Sequence, residues 1–151
     1  MKIRTPTRSD LAQLRLVVED CELFPVEMLE GMMSPFFDEP DCLDRWLVTE
    51  APDRQVTGLA YFRPEPLTEG TWNLLALGFR KGQRGKGRGA RLVAAVEQQL
   101  AEERMLIVET SSLDAFEAAR RFYEGCGFGL EAVIRDYWSA GDDKVIFRKP
   151  L

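Results

Sequence analysis

The sequence contains no histidine. That absence removes the commonest general base, the Ser–His and Cys–His nucleophile pairs and the commonest metal ligand, so chemistry must fall to tyrosine, carboxylates, cysteine or backbone. Cysteine is scarce: Cys21, Cys42 and Cys126 are odd in number, widely spaced and without C-x-x-C pairing. The pattern fits neither a zinc ribbon nor a disulfide framework, and no metal is expected; it suits thiols in a reducing compartment. No stretch approaches the ~20 consecutive apolar residues of a membrane span. Met1-Lys2-Ile3-Arg4-Thr5-Pro6 opens without the apolar segment of a secretory signal. The expectation is a cytoplasmic protein with no membrane partner. Basic residues are outnumbered, 20 against 25 acidic, for a net charge of -5, so no nucleic-acid partner is expected either.

What is present describes an ordinary globular chain of 151 residues, 45% hydrophobic and 30% charged. A chain of that size forms one domain, here 1–151, and buries roughly two-thirds of its unfolded surface. Thr7-Arg8-Ser9-Asp10 has the form of a capping box, so a short strand at Lys2 to Arg4 leads into a helix carrying Leu11, Leu14 and Val18. Pro25 opens a second helix that Ser34-Pro35 should end. Arg45 to Glu50, Gln55 to Arg63 and Thr71 to Phe79 read as strands. A helix follows to about Arg104, then a strand at Met105 to Thr110 and a helix from about Asp114 to Gly125. Leu130 to Trp138 and Lys144 to Arg148 form a closing hairpin. The order is βααβββαβαββ, an α+β fold with a mixed sheet.

The most informative segment is Gly82-Gln83-Arg84-Gly85-Lys86-Gly87-Arg88-Gly89-Ala90, between a strand and a helix. Its glycines let successive N–H groups point into one concavity, the helix start adds a positive dipole end, and Arg84, Lys86 and Arg88 add charge. A phosphate or pyrophosphate fits that combination. A Walker A loop does not, because Arg80 stands at the first required glycine and Gly87 replaces the magnesium-binding Ser or Thr. Gly85-x-Gly87-x-x-Ala90 does satisfy G-x-G-x-x-A, with Glu109 about 20 residues on. A dinucleotide-dependent oxidoreductase is therefore a remote alternative, weakened by the meander of strands before the loop.

Arg84, Gly87 and Gly89 also satisfy [QR]-x-x-G-x-[GA], and here the chain resembles the GNAT superfamily of N-acetyltransferases. Thr71 to Phe79 looks like that family's fourth strand, and Ala119-Arg120-Arg121-Phe122-Tyr123-Glu124-Gly125-Cys126-Gly127-Phe128 is similar to its A-x-x-F-Y-E-x-x-G-F segment. The resemblance implies the acyl-CoA N-acyltransferase fold and acetyl-CoA as cosubstrate. It implies pyrophosphate on Arg84, Gly85, Lys86, Gly87, Arg88, Gly89 and Ala90, and the pantetheine arm along Leu77, Gly78 and Phe79. It also implies Tyr123 as the acid for the departing thiolate. Phe116 replaces an Asn with which many members hold CoA, and Asn73 stands on a strand where several place a catalytic Glu.

Acyl transfer to an amine requires a neutral nucleophile, donors for the developing oxyanion and a proton for the thiolate. Glu109, at the end of its strand, is the candidate base, with solvent as the alternative. The acceptor is a small-molecule or protein amine, attacked directly in a ternary complex. Phe24, Met28, Phe36, Phe37 and Trp46 are core candidates that would favour an acceptor with an apolar portion if they lined its site. A non-catalytic acyl-CoA-binding module is the alternative reading, and a homodimer is compatible with the sequence.

Overall fold

The computed structural model describes every residue from Met1 to Leu151. Its elements run β1 (Lys2–Arg4), α1 (Leu11–Cys21), α2 (Leu29–Asp38), β2 (Arg45–Glu50), β3 (Val56–Pro64), β4 (Thr71–Phe79), α3 (Arg88–Gln99), β5 (Met105–Ser111), α4 (Glu117–Gly125), β6 (Gly129–Ser139) and β7 (Asp142–Pro150). The order is the one the sequence predicts. The strands hydrogen-bond as β1-β2-β3-β4-β5-β7-β6. β4 and β5 are parallel, joined through a helix as such pairing requires. The β1–β2, β2–β3, β5–β7 and β6–β7 ladders are antiparallel. That mixture excludes the doubly wound sheet of dinucleotide enzymes, which repeats parallel βαβ units.

The chain forms two compact units, Met1–Arg63 with Leu75–Gln99, and Pro64–Leu74 with Leu100–Leu151. In the first, Leu14, Val17 and Val18 of α1 and Leu29 and Met33 of α2 recur at helical spacing. They pack with Trp46, Val48, Leu59 and Tyr61 of β2 and β3. Each such side chain contributes about 1.5–3 kcal/mol when fully buried. Trp46 and Tyr61 are cross-strand partners whose rings stack at 4.1 Å, so Trp46 is core and lines no acceptor site. The capping box forms, with Thr7 N–H donating to Asp10 at 2.7 Å. Arg4 grips the same carboxylate through two hydrogen bonds, which hold its pKa below the usual carboxylate value.

Two boundaries differ from expectation. α2 does not stop at Ser34-Pro35 but runs to Asp38 with Pro35 inside it. Proline forfeits one N–H bond, while Phe36 and Phe37 pack against the core and Glu39 N–H donates to Pro35 O, so tertiary packing holds the last turn. α3 ends at Gln99, short of Arg104. The amides of Arg104 and Met105 both donate to Gly70 O, which commits that backbone to the entry of β5.

In the second unit, alternation along β5 and β7 separates two faces. Val108 and Phe147 are buried on the α4 side, where Tyr123 meets Phe147 and Phe128. Ile107, Glu109, Ile146 and Arg148 are half-buried on the other. β6 is the outer strand, exposed along its whole length.

Candidate active site

Four residues of the glycine-rich loop have left-handed backbone. Gly82, Gly85 and Gly87 have φ of +81°, +82° and +72°, and Lys86 between the last two has 56°. A β-carbon on any of these three glycines would meet nothing within 4 Å. Their requirement is conformational, since L residues rarely adopt that region, and the space in front of them is open. Arg88 and Arg91 amides donate back to Gly85 O and Gly87 O. Those of Gly85, Lys86 and Gly87 donate to no backbone carbonyl, at the threshold of α3. Successive free N–H groups ahead of a helix make a concavity suited to an anion.

The basic side chains divide into two kinds that the sequence could not distinguish. Arg84 donates to the carbonyls of Asp20 (2.9 Å) and Phe79 (3.4 Å), and Arg88 donates to Gln83 O at 3.1 Å. Both brace the loop. Lys86 makes no such contact and is exposed, free to meet an anion. Asp20, which no motif singled out, anchors the loop's entry: it accepts from Arg80 Nε at 2.8 Å and Lys81 N–H at 3.0 Å. Those bonds, Arg80 first, hold its pKa below the usual carboxylate value.

At the end of β4, a β-carbon on Gly78 would lie 2.7 Å from Cys21 Sγ and 3.1 Å from Cys21 Cβ, so α1 approaches too closely for any side chain there. The Cys21 thiol donates to Phe79 O at 2.9 Å. The parallel ladder with β5 spans only Thr71–Leu74 against Met105–Val108, and β4 continues beyond it through Leu77 and Gly78 to Phe79.

Glu109 does not stand alone. Its Oε2 lies 2.8 Å from Lys144 Nζ, and its Oε1 accepts from Asn73 Nδ2 at 3.1 Å. The same Asn73 nitrogen donates to Glu65 at 2.7 Å, leaving Asn73 Oδ1 buried without a partner. Burial opposes the charge on Lys144, but its bond to Glu109 and the Tyr137 contact prevail and raise its pKa. The ammonium sits 4.2 Å from the Tyr137 ring centroid and 5.8 Å from that of Trp138, within reach of cation–π attraction. Lys144 and Asn73 escaped sequence reasoning as partners because only strand register brings them to Glu109.

Tyr123 is buried on α4, its ring 5.2 Å from Phe122 and 5.7 Å from Phe128. Burial, with the neighbouring Cys126, pushes its pKa well above the ordinary tyrosine value. The sealed polar side-chain atoms without partners belong to Trp46 and Asn73. The Tyr123 hydroxyl is not one of them and makes no hydrogen bond within the protein.

A recess of about 570 Å³ between β1, β2 and α3 holds none of these candidates. No helix is long and apolar enough to cross a membrane, and no group of three His, Cys, Asp or Glu side chains could hold a metal ion.

A model of the acetyltransferase (GNAT) family matches residues 14–128. The chain belongs to that family. Among solved structures it is similar to a GNAT-family protein from Desulfovibrio desulfuricans at 29% identity and TM-score 0.90, over 99% of this chain and 98% of that one. It shares its fold with an aminoglycoside 6'-N-acetyltransferase complexed with coenzyme A (17% identity, TM-score 0.79, 99% and 97% covered). The same holds for a spermidine N-acetyltransferase from Vibrio cholerae complexed with CoA and spermine (15%, 0.81, 99% and 94%). Among curated proteins no match is found. The GNAT match takes in the glycine-rich loop, Glu109 and Tyr123 and ends at Phe128, before β6 and β7.

Proposed function

We propose that this GNAT acetyltransferase moves the acetyl group of acetyl-CoA to an amine by direct attack in a ternary complex. The observation that carries the reading is the run of left-handed glycines opening onto free space at the start of α3. Amides of Gly85, Lys86, Gly87, Gly89 and Ala90 would hold the pyrophosphate, with Lys86 adding charge and Arg84 and Arg88 keeping the backbone in shape. Leu77, Gly78 and Phe79, beyond the β5 ladder, would take the pantetheine arm through backbone groups. The thioester supplies the activated acyl group.

Tyr123 is the acid in this reading. Burial keeps the hydroxyl protonated but also makes it a weaker acid, so its proton is given only as negative charge builds on the departing sulfur. Glu109 is the base that takes a proton from the incoming ammonium, with Lys144 and Asn73 fixing its carboxylate. That orientation leaves Glu65 as a second nearby carboxylate and favours a cationic acceptor. An aminoglycoside 6'-N-acetyltransferase and a spermidine N-acetyltransferase, each complexed with CoA, share this fold.

The direct test is release of free thiol from acetyl-CoA in the presence of spermidine, kanamycin and a peptide with a free N-terminus. Turnover with one of them, dependent on protein concentration, is the expected result. Tight acetyl-CoA binding with no thiol release for any amine would leave the non-catalytic module as the better account.

A further inference from the structure

Glu109 is the base in the reading above, yet neither of its oxygens is idle. Oε1 accepts from Asn73 Nδ2 at 3.1 Å, and Oε2 lies 2.8 Å from Lys144 Nζ. An incoming ammonium needs what Lys144 already has, a carboxylate oxygen within hydrogen-bond reach. Strand register delivers the lysine. Ser111 stands opposite Lys144 and Ile146 opposite Glu109, which puts Lys144 one diagonal step from Glu109 on the same face of the sheet.

The rest of the surroundings are also those of a bound cation. The Lys144 ammonium sits 4.2 Å from the Tyr137 ring centroid and 5.8 Å from that of Trp138. Both distances fall inside the ~6 Å over which an aromatic face attracts a cation. The Lys144 side chain is only 11% exposed, so carboxylate and rings replace much of its hydration. Tyr137 and Trp138 themselves are 49% and 48% exposed, which leaves open aromatic surface along which another cation can approach.

The seat is held without help from its occupant. Trp138 Nε1 donates to Thr110 O at 3.2 Å, and Tyr137 packs edge-on against Trp138 at 4.8 Å. In the turn beyond, Asp143 accepts from Asp136 N–H and Asp136 accepts from Gly141 N–H, both at 2.9 Å. Asp143 N–H donates to Ser112 Oγ at 2.8 Å, tying the hairpin to the end of β5. None of these bonds passes through Lys144, whose long unbranched stem lets its head group swing away.

We propose that Glu109, Tyr137 and Trp138 form the seat of the acceptor's ammonium, and that Lys144 fills it as an internal surrogate until an acceptor displaces it. The identity of the visitor rests on the acetyl-transfer reading; the seat does not. A seat that fits a lysine head group selects an alkylammonium on a slender stem. Lys144 also sets a threshold, since the apparent affinity of every acceptor is reduced by the fraction of time the lysine stays in place.

Lys144→Ala empties the seat, and n-butylammonium, a lysine side chain without its backbone, is the probe. It should raise the thermal midpoint of Lys144→Ala and change its tryptophan fluorescence, with a Kd at least about tenfold below that for the unchanged chain. Trp46 and Trp72 are only 1% and 5% exposed, so the fluorescence change reports Trp138. Uncharged n-butanol should do neither, and adding Tyr137→Leu to Lys144→Ala should remove the gain. Lys144→Met, which keeps the packing stem, should lower KM for a responsive amine several-fold, whereas Lys144→Arg should not. Equal butylammonium binding by Lys144→Ala and the unchanged chain, an equal response to butanol, or a gain that survives Tyr137→Leu overturns the seat. Turnover without any gain in cation binding overturns the seat and leaves acetyl transfer standing. Cation binding as expected, with no thiol release for any amine, supports the seat and sinks acetyl transfer.

Discussion

Between Gly82 and Gly87 the chain offers backbone, and Arg84, Arg88 and Asp20 serve to hold that backbone in place. Around Glu109 the reverse holds: side chains from β4, β5 and β7 meet, and the backbone beneath them is taken up by the ladders. A surface of amides is insensitive to pH, and most of its positive-φ positions are glycine, so it suits an invariant group such as pyrophosphate. A cluster of ionisable side chains can gain and lose protons, which suits chemistry. Substitutions should therefore separate, with loop changes read in cofactor binding and changes in the second unit read in turnover.

Tyr123→Phe should give the largest effect, a fall in kcat of roughly 10²- to 10⁴-fold with acetyl-CoA affinity unchanged. The ring still packs against Phe122, Phe128 and Phe147, so stability should change by no more than about 1 kcal/mol. Wild-type turnover in a folded, saturated variant would leave thiolate protonation to solvent.

Gly87→Val is the converse test. Acetyl-CoA at one hundred times its Kd adds about 2.7 kcal/mol of stability and raises the thermal midpoint. The variant should lose that shift, because φ near +72° is closed to a β-branched residue. NAD should produce no shift in either protein. An unchanged response to acetyl-CoA in Gly87→Val would remove the loop from cofactor binding.

Glu109→Gln should lower kcat by on the order of tenfold or more near neutrality, with the deficit shrinking as pH rises and more acceptor amine is already neutral. Glu109→Gln also removes the carboxylate that raises the Lys144 pKa and leaves burial to lower it, so only in the unchanged protein is the Lys144 charge constant across this range. Its folded pKa lies above the unfolded 10.5, so its stabilising interaction is fully present below that value and is lost only as pH climbs through the folded pKa. A deficit constant from pH 7 to 9.5 would mean that the carboxylate orients or binds and does not accept a proton. Smallest of all, Arg84→Ala should raise the acetyl-CoA Kd only a few-fold at unchanged kcat, since it slackens a brace whose hydrogen bonds are each worth about 1 kcal/mol. A collapse in affinity matching that of Gly87→Val would show that the guanidinium touches the phosphate itself.

Much of the architecture was legible because it is written in local patterns. Leu11, Leu14 and Val18 announce a helix face, Thr7 and Asp10 announce its cap, and Thr71 to Phe79 has the bounds of β4. The loop was legible as an anion cradle because glycine spacing is a local property. What escaped was whatever depends on partners distant in sequence. Nothing near Pro35 indicates that Phe36 and Phe37 will hold the helix past it, and nothing near Glu109 indicates Lys144, which the β5–β7 register delivers. The three basic residues of the loop look alike in sequence. Only the carbonyls of Asp20, Phe79 and Gln83 decide that two of them are tied to backbone.

β4 also has a consequence for the newborn chain. Its first half belongs to one compact unit and its second half to the other, so Pro64–Leu74 leaves the ribosome with the residues of the first unit while its own parallel partner, Met105–Val108, has yet to be made. At about 5–20 residues per second, some seconds pass before Thr71–Leu74 can pair, and Trp72 and Leu74 meanwhile stand on an incomplete edge. Slower decoding between β4 and β5 should reduce its soluble yield without altering the finished fold.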